Sequence, residues 1–378
     1  LTPGEVINIM EKGIKKVVRF VKIYGIFRTL TKVIGRVRPR FKFWLILKFP
    51  LYSTSGKKVG LVGCGHHAFS SIAYYLSTST NAKIVFSLDI DPKASSSLAY
   101  AYNTIDIGDK YKISDSNNID IAYISSNHAT HTQYAIDFLE RGCDVFIEKP
   151  IAINKQQLDL LSHAVRKANK KIYVGYNRPH SPSIKIIKDN FIDNNTPITL
   201  SCFISGHFIP EDHWYRDPSE GTRIVSNLGH WIDLSVYILS WSNSFPKFLD
   251  VIISYSDLQL PSDNIGVSIV SSNHDLINIT FTSRGEPFEG VREMINFQKD
   301  DVNVQIDDYR STKIWKGSYF KKYKHWPKNN GHKSTVLQPF SNTLIRNWDE
   351  IELSTRLMLH IEEMVISNII KQRFKVKE

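Results

Sequence analysis

An apolar strand pattern, Lys58-Val59-Gly60-Leu61-Val62, runs into Gly63-Cys64-Gly65-His66-His67-Ala68 and then into a helical pattern over residues 69–76. Strand, glycine turn and helix in that order constrain the fold more than anything else in the chain. Gly63 permits the tight turn, and Gly65 lets the backbone approach a pyrophosphate. The small Ala68 lets helix and strand pack closely, with the helix N-terminus aimed at the phosphates. His66 and His67 stand on the same turn as candidate cofactor contacts. The next strand, residues 83–88, finishes in Asp89, where an acid takes ribose hydroxyls and repels a 2′-phosphate, so NAD is favoured over NADP. Asp91-Pro92 reads as the cap of the helix that follows.

The alternation continues through strands at 119–124 and 144–147, with a helix reaching Arg141 between them. Strands that alternate with helices imply a parallel, doubly wound sheet, whose ligands bind beyond the carboxyl ends of the strands. Ser126, Asn127 and His131 stand at one such end, and Glu148, Lys149 and Pro150 at another. His66, His67, His128 and His131 find no acid or cysteine to complete a metal set, so no metal is expected.

The 378 residues carry a formal net charge of +11, and nearly all of it sits in one place. Residues 1–50 hold twelve Lys and Arg against Glu5 and Glu11, while the remaining 36 bases meet 35 acids. A nucleic-acid-binding body would carry its own basic surface, and this one is nearly neutral, so nucleic acid is not expected as a partner. Val6, Ile9, Met10, Val17, Phe20, Val21, Tyr24 and Phe27 recur at helical spacing with cations between them, and a cation-flanked aromatic run occupies 41–49. This is a basic amphipathic extension. It suits an anionic membrane surface, or an arm whose apolar face packs on the body or on another subunit. No stretch reaches the roughly 18 apolar residues of a membrane span. Three cysteines with no metal spacing read as reduced thiols of a cytoplasmic protein, peripheral at the inner membrane face if the arm binds lipid.

Glu148-Lys149-Pro150 after such a unit resembles the Gfo/Idh/MocA (glucose-fructose oxidoreductase and inositol dehydrogenase) family. Val174-Gly175-Tyr176-Asn177-Arg178-Pro179-His180-Ser181-Pro182 and Asp212-His213-Trp214-Tyr215-Arg216-Asp217-Pro218 are similar to stretches in the second half of two-domain oxidoreductases of polysaccharide clusters. The resemblance implies an α/β Rossmann domain followed by an α+β domain with an open, mostly antiparallel sheet. With the basic extension at 1–51, which the resemblance does not cover, the expected divisions are 52–176 (NAD-binding) and 177–378 (substrate binding and homo-oligomerisation). The resemblance implies NAD(P)-dependent hydride transfer at a sugar or nucleotide-sugar carbon, in bacterial surface polysaccharide synthesis. The same residues also suit a redox-neutral, NAD-using lyase or hydrolase. A non-catalytic, cofactor-binding assembly protein at a membrane is a third reading.

The family lysine maps onto Lys149, where a cation steadies a developing alkoxide or carbonyl oxygen, and its bond to Pro150 is cis as a rule. The family's proton-transferring His maps onto His230, with Asp233 three residues on. Tyr176, Arg178, Trp214, Asn227 and Asp233 are the expected substrate contacts. Two departures stand out: Ser226 and Asn227 occupy positions where many relatives carry an acid, and the glycine run is reduced to Gly221-Thr222.

Short alternating runs at 198–206, 248–254, 265–271, 277–283, 292–297 and 302–306 read as the second domain's strands. Helices are expected at 182–191, 231–239 and 351–372. Asp307-Asp308-Tyr309-Arg310 reads as an acidic-aromatic surface turn, and Lys321, Lys322, Lys324, His325 and Lys328 as a basic loop patch, either solvated or contacting phosphate.

Overall fold

The computed structural model describes residues 3–38, 56–108, 119–285, 290–341 and 344–376, and for 3–12 only the course of the helix. The aromatic run at 41–49 and the side chains of Val6, Ile9 and Met10 lie outside the described residues.

Six strands form the first sheet: β1 (Lys58–Val62), β2 (Lys83–Leu88), β3 (Ile105–Gly108), β4 (Ile121–Ile124), β5 (Asp144–Ile147) and β6 (Ile172–Val174). They are parallel, in the order β3-β2-β1-β4-β5-β6. Every residue of β4 is buried, as a strand covered on both faces must be, which is why these strands read as unbroken apolar runs. Helices α4 (Pro92–Tyr102), α5 (His128–Glu140) and α6 (Lys155–Lys167) supply the crossovers. Between β1 and β2 the chain makes a π-helical turn, Ala68–Ala73, which runs on into α3 (Tyr74–Ser79).

The second sheet has nine strands: β7 (Thr199–Ser205), β8 (Phe248–Tyr255), β9 (Asn264–Ser271), β10 (Leu276–Thr282), β11 (Arg292–Lys299), β12 (Val302–Asp307), β13 (Ser311–Lys316), β14 (Tyr319–Lys324) and β15 (Lys371–Lys375). The order is β14-β13-β12-β11-β7-β10-β9-β8-β15, antiparallel except where β10 runs parallel to β7. One face packs on α8 (Gly229–Leu239) and α10 (Trp348–Ile366), and the other leaves Phe203, Ile252, Val270, Met294 and Trp315 exposed. A parallel α/β unit beside a mostly antiparallel sheet is the expected fold class.

Three local readings need correction. The last helix ends at Ile366, and Lys371–Lys375 is a strand on β8, because the alternating Lys371-Gln372-Arg373-Phe374 finds an open edge there. Asp308 and Tyr309 are buried: Lys328 neutralises Asp308 at 2.5 Å, and that pairing makes burial of the turn tolerable. Lys321, Lys322 and Lys324 lie on edge strand β14, where lysines discourage further pairing.

Helices α1 (Pro3–Tyr24) and α2 (Ile26–Val37) lie against the body. The Trp326 indole donates to the Lys22 carbonyl and the Lys328 amide to that of Ile23, both at 2.8 Å. The apolar face, however, is not the one that packs. Thr29, Thr31 and Gly35 are buried, while Ile26, Phe27, Leu30 and Val37 are exposed.

Candidate active site

Gly63 takes φ +83°, and a Cβ there would sit 2.4 Å from the Ser126 nitrogen, so only glycine fits. A Cβ on Gly65, by contrast, would meet nothing within 4 Å. The turn therefore offers open backbone at the start of a helix, which is the donor arrangement a pyrophosphate needs. Asp89 braces it: one carboxylate oxygen accepts from the Cys64 amide at 2.6 Å, the other from the Asp91 amide at 2.8 Å. Asp91 caps α4 through the Lys93 amide at 2.9 Å. The residues present thus fit a dinucleotide.

At the end of β5 the Lys149-Pro150 bond is cis. The Lys149 ammonium donates to the Ser226 carbonyl at 2.8 Å and stands 3.5 Å from the Tyr215 hydroxyl, with no carboxylate paired to it among the described residues. His131 holds the cis segment in place: its two ring nitrogens lie 2.8 Å from the Pro150 carbonyl and 3.0 Å from that of Ser126. Burial lowers its pKa against the pull of those carbonyls, so His131 is a clamp between two strand ends. Glu148 is also set inward, 3.1 Å from the His67 ring, with Gly175 too close to bear a side chain. Burial would raise its pKa, but the neighbouring His67 and Lys149 hold it below the ordinary value. His66 reaches Ser70 at 3.5 Å, and burial lowers its pKa.

His230 opens α8 and lines a cavity of about 890 Å³ together with Lys149, Arg178, Trp214 and Asn227. Burial, then Arg178 and Lys149, push its pKa well down, which favours the uncharged imidazole. Its Nδ1 is buried with no hydrogen-bond partner among the described residues. Arg178 is committed to a buried fork with Glu293, at 2.9 and 3.1 Å, which also receives the Trp231 indole at 2.9 Å. Tyr176 stays behind the cavity wall with its hydroxyl on the Met358 sulfur, and its ring meets His230 edge-on.

Asp233 is the expected substrate contact that the structure places elsewhere. It is fully buried, held by Arg346 at 2.7 and 2.9 Å and by the Ser354 hydroxyl at 3.0 Å. Three residues along a helix is a 60° turn and nearly a full rise, enough to carry it from the cavity to the α10 interface. Ser126 and Asn127 stand at the β4 end, with Asn127 donating to Glu220 at 2.6 Å.

Several contributors escaped the sequence reading. Glu220 accepts the Ala129 amide and covers the start of α5, and Asp263 ties Arg216 (2.7 Å) to Arg223 (3.1 Å) beneath the cavity loop. Tyr215 and His332 reach the same cavity. So do Arg28, Lys32 and Arg36 of α2, which the sequence reading did not connect with the site. No group of three metal-ligating side chains occurs among the described residues, and none of their helices is long and apolar enough to cross a membrane.

Comparison with known proteins finds likenesses to the part of this geometry that holds the glycine turn. Residues 57–176 match the model of the Gfo/Idh/MocA oxidoreductase family, described by its NAD-binding Rossmann fold. Inositol 2-dehydrogenase of Burkholderia cenocepacia (strain HI2424) is 24% identical over 194 residues, 48% of this chain and 54% of the relative. The chain thus spans about half the length of the curated relatives it matches. Among solved structures, levoglucosan dehydrogenase in complex with NADH superposes with TM-score 0.69 at 14% identity, covering 86% of this chain and 100% of that one. GenD2 from gentamicin A biosynthesis, in complex with NAD, gives 0.68 at 13% identity, covering 87% and 99%. The glycine turn, the braced Asp89 and the cis Lys149-Pro150 corner all lie within the matched region, so it is residues 57–176 that are similar to the NAD-binding Rossmann part of the Gfo/Idh/MocA oxidoreductase family.

Proposed function

We propose that the chain is an NAD-dependent dehydrogenase acting on a CH-OH carbon of a sugar-like substrate. The observation that carries this reading is the convergence of His230 and of Lys149, whose ammonium has no paired carboxylate among the described residues, on one cavity beside the glycine turn. NAD, when bound, supplies the hydride acceptor. The chain supplies the rest. His230 takes the hydroxyl proton, and Lys149 steadies the oxygen as charge develops on it. Arg178, Trp214 and Asn227 line the space for the substrate, while Asp233 and Tyr176 hold the framework of α8. Asp89 favours NAD over NADP by repelling a 2′-phosphate.

Finer assignments belong to the same proposal. A nucleotide sugar of surface polysaccharide synthesis is supported by the likeness of Val174 to Pro182 and Asp212 to Pro218 to enzymes of such clusters. Homo-oligomerisation is supported by the exposed apolar face of the second sheet, and contact with an anionic membrane by the outward apolar face of α2. Divisions near 52 and 177 follow the start of the first sheet and its end.

Purified protein should carry or bind NAD(H), and a panel of polyols, sugars and nucleotide sugars should yield one substrate that changes NADH absorbance. A new product without net NADH change replaces the dehydrogenase by a redox-neutral lyase or hydrolase. Protein that binds NAD(H) but turns over none of the panel leaves the assembly role, and protein that does neither defeats both enzyme readings.

A further inference from the structure

The face that α2 turns toward the body is its cationic one. Gly35 lets it settle on the helix that follows the glycine turn: a Cβ at that position would lie 3.1 Å from the Ser70 Cβ and 3.2 Å from the His66 ring. Arg28 reaches the Ser70 carbonyl and, at 2.6 Å, the Ser71 hydroxyl, so it lies over the first turns of that helix. Lys32 is half-buried with its ammonium 4.2 Å from the Tyr24 ring centre, and Arg36, one turn on, is exposed at the cavity's edge. All three line the cavity that holds Lys149 and His230.

None of the three has an ion-paired carboxylate among the described residues, and the acids nearby are already engaged. Glu293 serves Arg178 and Trp231, Asp308 serves Lys328, and Glu148 faces His67. Burial, then Arg28, Lys328 and Arg36, push the Lys32 ammonium down to about 7. A half-closed cavity with an excess of cations is unfavourable until a polyanion enters it. At the same time the helix shows solvent Ile26, Phe27, Leu30 and Val37 and packs only Ile34 on the core, so packing of apolar surface accounts for little of its orientation. The cations account for more of it.

We propose that α1 and α2 are the roof of this chain's own site, and that Arg28, Lys32 and Arg36 receive the phosphates of a diphosphate-bearing ligand lying beneath them. The proposal rests on the dehydrogenase reading of the cleft and adds to it a charge requirement on what the cleft holds. Two molecules carry that chemistry: the dinucleotide, through its pyrophosphate, and a nucleoside-diphosphate sugar. A neutral cyclitol or monosaccharide substrate would give the roof no partner except the cofactor.

The test uses the full chain and three probes: NADH, inorganic pyrophosphate, and UDP added at saturating NADH. The inward pair Lys32→Met with Arg36→Gln is compared with the outward pair Lys15→Met with Arg19→Gln, which removes the same charge from exposed positions of α1. The inward pair should weaken at least one probe tenfold or more and flatten its salt dependence, while the outward pair stays within twofold. Loss of NADH and pyrophosphate together identifies the cofactor as the source, and loss of UDP with NADH unchanged identifies the substrate. Lys32→Arg, which keeps the charge, should retain wild-type binding and guards against a folding defect in the double variant. Unchanged binding of all three probes to the inward pair overturns the proposal, as does equal weakening by both pairs. Wild type that binds pyrophosphate or UDP but not NADH would sink the dehydrogenase reading and leave the roof standing.

Discussion

Lys149 donates from its ammonium to the backbone carbonyl of Ser226, 2.8 Å away, and so ties the end of β5 to the π-helical turn that leads into α8. One hydrogen bond joins the candidate oxyanion-steadying group to the segment that carries His230. Replacing Lys149 by Met should lower kcat/KM by about 10²- to 10⁴-fold while NADH affinity changes little, because the charge is needed on the substrate oxygen and not on the dinucleotide. Fluorescence titration with NADH beside initial rates checks this, and equal loss of both would remove Lys149 from the chemistry.

The two glycines of the turn should part company. Gly65→Ala meets open space, so thermal stability should stay within a few degrees while NADH binding weakens by about tenfold, the cost of filling the phosphate cradle. Gly63→Ala strikes the Ser126 nitrogen at positive φ and should destabilise the fold outright, by roughly 1–3 kcal/mol. Melting curves and binding isotherms on the two variants separate these effects. A Gly65→Ala protein with native affinity would argue against a pyrophosphate at that turn.

Arg346 neutralises Asp233 and also meets Glu350, all three within the core around α10. Arg346→Met strands two buried carboxylates and should cost about 3–5 kcal/mol in urea unfolding. Asp233→Asn should be milder, about 1–3 kcal/mol, and should leave the KM for the sugar unchanged. A large rise in KM with normal stability would return Asp233 to the substrate.

His180 is buried beside α8, and burial, helped by Arg346, pushes its pKa down to about 3 from an ordinary value near 6.5. Between those values the unfolded chain holds a proton that the folded chain does not. Stability from this group is therefore complete above about pH 6.5 and is lost as pH falls, at about 1.4 kcal/mol per unit. His180→Phe removes that slope. Between pH 7.5 and 5.5 the wild-type urea midpoint should fall by more than the variant's, and parallel midpoints would show that His180 does not titrate in this way.

What could be read from the chain was what local chemistry dictates. The glycine turn, the Asp89 strand end and the Lys149-Pro150 corner depend on neighbours a few residues away, and they stand in the structure as written. Misreadings came where a distant partner decides. Lys371 and Gln372 looked like the end of a helix until β8 offered an edge, and Asp308 and Tyr309 looked like a surface turn until Lys328 arrived from twenty residues on. Asp233 has the helical spacing of a site residue, and only Arg346, 113 residues later, reveals its engagement. The arm is the clearest case. Periodicity located its apolar and charged faces correctly, but nothing local tells which face meets the body, because the choice depends on the charge of a cavity assembled from the rest of the chain.

The attachment of the arm also has a kinetic consequence. Lys22 and Ile23 are held by Trp326 and Lys328, about three hundred residues downstream, so the contact closes one of the longest loops in the chain. During synthesis at about 5–20 residues per second, α1 and α2 leave the ribosome many seconds before their seat exists. The two sheets can form in the meantime from contacts much closer in sequence, and the roof settles last. In refolding from denaturant, the intrinsic fluorescence of Trp326 should accordingly report a later step than recovery of the sheets, with the cleft standing open to its ligands throughout that interval.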